Sequence, residues 1–135
     1  MSYGPSITLA DAKTVAVAAL KEAAVNQWTM AVAVVDPHGD LVYFEKMDET
    51  PLGSTIVCQD KARSAARFKR PTKVFQDMLA GGSDGVRVLG IRGAVPVEGG
   101  LPILRGGKVV GAVGLSGGTS PQDGQCAQAG LSALG

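Results

Sequence analysis

His38 is the only histidine of this 135-residue chain, and it lies in the sequence PHGD, residues 37–40. An imidazole gains and loses a proton near neutral pH. His38 is therefore a candidate general base. The alternative is an exposed turn residue with no special role. A single histidine excludes a two-histidine metal site within one chain, and the sequence predicts no metal site.

Three cationic residues, Lys61, Arg63 and Arg67, lie within two turns of one predicted helix. Cations placed beside a pocket bind carboxylates, such as that of a small organic acid. Lys61 is followed by Ala62, and a lysine set among small helix residues can be partly buried and serve as a base. The alternative is an ordinary solvated helix face.

The sequence GLSGGTSPQDGQ, residues 114–125, follows an apolar run. Glycines allow a ligand to approach the backbone, and free N–H groups at a helix N-terminus attract carboxylates or phosphates. The candidate ligand contacts are Gly114, Ser116, Gly117 and Gly118. The alternative is structural: the glycines end a strand, Ser120 caps a helix and Asp123 complements the helix dipole. The loop has no lysine, so it is not a phosphate-binding P-loop of the form G-x-x-x-x-G-K-[ST].

Tyr43 is predicted to cover one face of a sheet. Cys58 and Cys126 do not form a C-x-x-C motif. They are predicted to be free, buried thiols in a reducing compartment. No Ser-His-Asp or Cys-His arrangement surrounds the single histidine.

Hydrophobic spacing and turn residues predict the order α, β, β, α, α, β, β, β, α. Two sharp reversals, at residues 37–40 and at Gly106-Gly107, predict β-hairpins. Predicted N-caps are Thr8, Ser54, Thr72 and Ser120. Residues 86–97 are ambiguous between a short helix followed by a strand and irregular structure. Hairpins without a βαβ rhythm indicate an α+β domain, with an antiparallel sheet and the helices on one side.

The composition sets limits on function. Apolar residues make up 45% of the chain, aromatic residues only 4%, and the formal net charge is +1. These values predict one domain over residues 1–135, with a core of small side chains and further burial by self-association. The mixed charges argue against nucleic acid as a partner. No stretch is long enough to span a membrane and no leader is visible, so a cytoplasmic location is expected.

Four segments together resemble the GlcG/HbpS family of small haem-binding or haem-degrading-type proteins. They are VVDPHGDLVYFEKMD (34–48), DKARSAARFKRPT (60–72), GGLPI (99–103) and VVGAVGLSGGTSPQD (109–123). The resemblance implies a profilin-like fold, with a central antiparallel sheet of about five strands flanked by helices. It also implies dimers that assemble into tetramers or octamers, and binding of haem or a molecule of similar size. With haem as the ligand, His38, or Tyr43 as a phenolate, is a candidate axial ligand of the iron, and the cations Lys61, Arg63 and Arg67 are candidate partners of the propionates.

Two hypotheses of function follow. In the first, the protein binds haem or a similar metabolite between the second helix, the turn at His38 and the loop around Ser116, in connection with a catabolic pathway. In the second, it is a small cofactor-independent enzyme, a lyase, isomerase, hydratase or hydrolase, that acts on an organic acid. Lys61, Arg63 or Arg67 would then hold the carboxylate, while His38 or Lys61 moves the proton.

Overall fold

A computed structural model describes residues 1–135 and shows an α+β fold, as predicted. The helices are α1 (Leu9–Val25), α2 (Ser54–Phe68), α3 (Thr72–Ala80) and α4 (Ser120–Ser132), with a 3-10 helix at Ser83–Gly90. The strands are β1 (Ala31–Val35), β2 (Leu41–Lys46), β3 (Gly100–Arg105) and β4 (Lys108–Ser116). No helix is both long enough and apolar enough to cross a membrane.

The four strands form one sheet in the order β2-β1-β4-β3, and every neighbouring pair is antiparallel. Both predicted hairpins are confirmed. Gly106 and Gly107 have φ angles of 58° and 76°, which the two-residue turn between β3 and β4 requires. The sheet has four strands instead of about five, because residues 91–98 do not pair with another strand. Gly93 at φ 87° and Pro96, which has no N–H, both oppose a strand there.

Helices cover both faces of the sheet, so the expectation that they lie on one side was wrong. α1 and α4 pack on one face, against Val32 and Val34 of β1 and Val113 and Leu115 of β4. α2 packs on the other face through a stripe of small residues, Cys58, Ala62, Ala65 and Ala66, all fully buried. All five residues of β1 are buried because this strand is covered on both faces.

The helix caps differ in detail from the sequence expectation. Thr8 caps α1 as predicted, and its side chain accepts a hydrogen bond from the N–H of Asp11 at 3.1 Å. The other three predicted caps were each wrong by one residue, because Ser54, Thr72 and Ser120 are the first residues of their helices. Thr119 caps α4 and forms a capping box with Gln122.

Candidate functional site

The turn between β1 and β2 is held by one carboxylate. Asp36 Oδ1 accepts hydrogen bonds from the backbone N–H of His38 at 2.8 Å and of Asp40 at 3.0 Å. Gly39 between them has φ 91°, a left-handed conformation that favours glycine. His38 is exposed, and its imidazole makes no hydrogen bond to protein. The turn therefore fixes the backbone of His38 and leaves its side chain free.

The C-terminal half of α2 lies against this turn. Arg67 Nε donates a hydrogen bond to the carbonyl oxygen of His38 at 2.8 Å, and Arg63 Nε donates to that of Gly39 at 3.4 Å. A side chain at position 39 would collide with both arginines, so glycine is needed here for packing as well as for its φ angle. Each guanidinium group keeps its terminal nitrogens for another partner. The structure thus brings together three of the predicted site residues.

A surface cleft of about 520 Å³ opens beside these residues. Its lining is Tyr3, Gly4 and Ser6 on one side, Asp36, Pro37 and His38 on the other, and Arg67. The sequence did not predict the wall of the cleft that Tyr3, Gly4 and Ser6 form. The N-terminal segment, residues 2–7, runs beside the start of β4, where Gly4 N–H donates to Val109 O at 2.9 Å. No local pattern in a short, irregular segment shows which distant strand it will meet.

Tyr3 anchors this wall to the end of α2. Its hydroxyl lies 2.8 Å from the carbonyl oxygen of Ala66 and 3.0 Å from that of Arg67, so it caps free carbonyls of the last turn. The ammonium nitrogen of Lys69 lies 5.0 Å from the centre of the Tyr3 ring, a cation–π distance. The N-terminal segment and α2 are therefore joined directly at the cleft.

Lys61 does not lie in the cleft. Its side chain is only 1% exposed, and its ammonium group donates to Leu115 O at 2.9 Å and to Asp123 Oδ2 at 2.8 Å. Burial raises the pKa of the Asp123 carboxyl, while Lys61 and the N–H groups of Gly118 and Gly117 act in the opposite direction. Lys61 is thus buried, not on a solvated helix face, and as half of an ion pair it is not the base or carboxylate partner that the sequence suggested, since a substrate in the cleft cannot reach it.

The glycine-rich loop lies at the opposite end of the sheet from His38. Ser116 pairs with Ala31 at the start of β1, whereas His38 follows the end of that strand. Gly118 N–H donates to Asp123 Oδ1 at 3.0 Å, so the loop serves the buried ion pair. Gly114 lies beneath α2, where the backbone at Cys58 occupies the space that a side chain would need. The structure therefore separates these residues from the cleft.

Tyr43 also lies apart from the cleft, on β2, where it packs against the core beneath α1 and α4. Its hydroxyl donates a hydrogen bond to Glu45 Oε1 at 2.6 Å, and this bond raises the pKa of Tyr43 above its ordinary value. A phenol held in its protonated form is a poor anionic ligand for iron. No group of three or more histidine, cysteine, aspartate or glutamate residues is placed to hold a metal ion.

Comparisons with known proteins agree with this fold. A family model described as "Haem degrading protein HbpS-like" matches residues 7–132. Protein GlcG of Escherichia coli K12 is 34% identical over 105 residues, which cover 78% of this chain and 77% of GlcG. A crystal structure of HbpS matches with a TM-score of 0.89 and 28% identity, covering 100% of this chain and 94% of that one. A crystal structure described as a PduOC:heme complex matches with a TM-score of 0.85 and 28% identity, covering 95% and 94%.

Proposed function

The chain belongs to the HbpS-like family, and on that premise we propose that it binds haem in the cleft beside His38. The observation that carries the proposal is the free imidazole of His38 at the edge of a cleft that also contains Arg67. An imidazole is a strong axial ligand for haem iron, and this chain has no other histidine. Haem bound there would supply redox chemistry that no side chain of the protein provides.

The arginines would hold the propionates. The Nε atoms of Arg63 and Arg67 are bonded to carbonyl oxygens of the turn, so both side chains are oriented before any ligand arrives. Their terminal nitrogens remain available for charge-assisted hydrogen bonds to carboxylates, which are stronger than neutral ones. The donor set therefore fits haem at its iron and at its charged edge.

The apolar part of the macrocycle needs more cover than one chain gives. Only Tyr3 and Pro37 bring a sizeable apolar surface to the cleft, and it is open to solvent. Haem sites are mostly apolar and bury most of the ligand. We therefore include self-association in the proposal: a second copy covers the exposed face of the porphyrin, and the haem lies at a subunit interface.

Titration of the purified protein with hemin tests the proposal. We expect a saturable shift of the Soret band, which His38→Ala abolishes or moves to the position typical of a different axial ligand. Tyr43→Phe is the matched control, because Tyr43 lies away from the cleft, and it should leave the spectrum unchanged. No saturable shift in the parent protein, or the same shift after His38→Ala, would refute His38 as the ligand.

The polarity of the cleft favours a second candidate, a small organic acid of a catabolic pathway. Asp36, Ser6, His38 and Arg67 all line it, which suits a charged metabolite as well as the edge of a porphyrin. Arg67 would bind the carboxylate and His38 would move a proton, whereas Lys61 is buried in its ion pair and takes no part. Calorimetry with small mono- and dicarboxylates should then show binding that Arg67→Gln weakens. The purified protein should be colourless, and hemin should not displace the bound acid.

A further inference from the structure

We propose that a second cleft, at the other end of β4, binds an organic amine. This cleft of about 450 Å³ lies where the start of α3, the start of β3 and the first half of α4 meet. Its lining is Pro71, Lys73, Glu98, Gly99, Gly100, Leu101, Pro121, Gly124, Gln125 and Gln128. It shares no residue with the cleft beside His38.

Gly124 is the first sign that this cleft holds a specific group. Glycine is among the least favourable residues inside a helix, and Gly124 lies in α4 without the positive φ that would require it. The three atoms nearest to an added Cβ at this position all belong to the side chain of Glu98. The absence of a side chain at Gly124 therefore makes room for the Glu98 carboxylate against the helix.

The backbone of Glu98 is held in place by a hydrogen bond, whereas its carboxylate has no partner in the protein. Its N–H donates to Gln76 Oε1 at 2.8 Å, which ties the segment to α3. The half-buried carboxylate accepts no hydrogen bond from the protein. The one cation that lines the cleft, Lys73, is already bonded to Asp77 at 2.8 Å. Lys73 therefore pairs with Asp77 and forms no ion pair with Glu98, whose carboxylate is left without a cationic partner.

The neutral polar groups of the cleft add acceptors. The side-chain amide of Gln125 donates a hydrogen bond to Glu22 Oε2 at 2.7 Å, and its carbonyl oxygen remains available as an acceptor. Gln128 makes no side-chain hydrogen bond to the protein. Pro71, Leu101 and Pro121 provide apolar surface between these groups. A ligand that matches this set carries a positively charged hydrogen-bond donor on a short apolar body, and a primary alkylammonium ion is the simplest example.

Nuclear magnetic resonance tests this with propylammonium chloride as the probe. The amide signals of Gly99, Gly100 and Gly124 report on the floor and wall of the cleft. We expect them to shift saturably at constant ionic strength, and we expect propanol, which is of similar size but uncharged, to cause no such shift. Glu98→Gln should raise the dissociation constant about tenfold, because the ammonium ion loses its negatively charged acceptor and keeps only a neutral one.

Asp84→Asn is the control, since it removes an exposed carboxylate that neither bonds Lys73 nor lines the cleft. It should change the dissociation constant by less than about twofold. Glu98 and Asp84 are both partly or fully solvent-accessible, so both variants should fold, and the spread of glycine signals verifies this. Shifts that do not saturate, or that Glu98→Gln and Asp84→Asn weaken equally, would overturn the proposal.

Discussion

Lys61 has the largest side chain among the fully buried residues, although it carries a charge. Burying a charge is costly unless a partner and further hydrogen bonds compensate, and here Asp123 and the Leu115 carbonyl do so. The pair joins α2, the end of β4 and α4. The small residues around Lys61 indicated partial burial as one of two alternatives, but its partner lies 62 positions away, which no local spacing reveals.

Replacing one member of this pair should destabilise the protein strongly. Lys61→Met leaves a buried carboxylate without its ammonium partner and should lower the free energy of unfolding by about 3–5 kcal/mol. Lys61→Met combined with Asp123→Leu should cost clearly less than the sum of the two single changes. Urea unfolding measures all three variants. Lys73→Met, in an exposed pair, is the control and should leave the midpoint unchanged. Additive effects at Lys61 and Asp123 would contradict this account.

The two buried cysteines predict that the free energy of unfolding depends on pH in the alkaline range. Burial raises the pKa of Cys58 and of Cys126 from 9.0 to about 12. Between these values an unfolded chain has lost thiol protons that the native chain still holds, so the free energy of unfolding falls as pH rises through this window. Below pH 9 the thiols contribute no such change.

Thiol reactivity checks the same burial. At pH 8 the native protein should react with a disulfide reagent only as fast as it unfolds, while in denaturant both thiols should react at once. Rapid modification of the native protein would show that at least one thiol is accessible.

At the scale of elements, the packing of α2 on the sheet depends on small residues on both sides of the contact. The sequence predicted the stripe on α2 and both hairpins, because these signals are local. It misplaced the cap of α4, because Thr119 and Ser120 are adjacent and both can cap a helix. It also suggested a strand within residues 86–97, where β-branched residues occur without the pairing partner that a strand requires.

Gly114→Ala tests the approach of α2 to β4. The added methyl group would meet the backbone of α2 at Cys58 and Ala62, which cannot move without displacing the helix. We expect a loss of about 3 kcal/mol or more in the free energy of unfolding, the upper range for overpacking. Gly53→Ala is the control: Gly53 precedes α2 with φ −65° and has open space around it. It should change stability by less than about 0.5 kcal/mol, as measured by thermal unfolding. Similar losses in both variants would contradict the packing argument.

At the scale of the whole molecule, the cleft beside His38 joins segments that are far apart in sequence. His38, Arg63 and Arg67 were predictable as candidates because each belongs to a recognisable turn or helix. The N-terminal wall was not, since Tyr3 contacts Ala66, 63 positions away, and Val109, more than 100 positions away. The sequence had also suggested one pocket between α2, the turn at His38 and the loop around Ser116. That pocket does not form, because the loop around Ser116 lies at the other end of the sheet.

Tyr3→Phe tests whether the N-terminal segment forms a working wall. Removing the hydroxyl takes away the link to the last turn of α2, so Gly4 N–H, which donates to Val109 O at 2.9 Å, should exchange with solvent several-fold faster. Hemin binding should weaken about three- to tenfold, the range for one lost hydrogen bond. Tyr43→Phe is the matched control because the chain has only two tyrosines, and it should alter neither measurement. Faster exchange with unchanged hemin affinity would mean that the segment stabilises the fold without shaping the ligand site, whereas unchanged exchange would contradict the anchoring role of the Tyr3 hydroxyl.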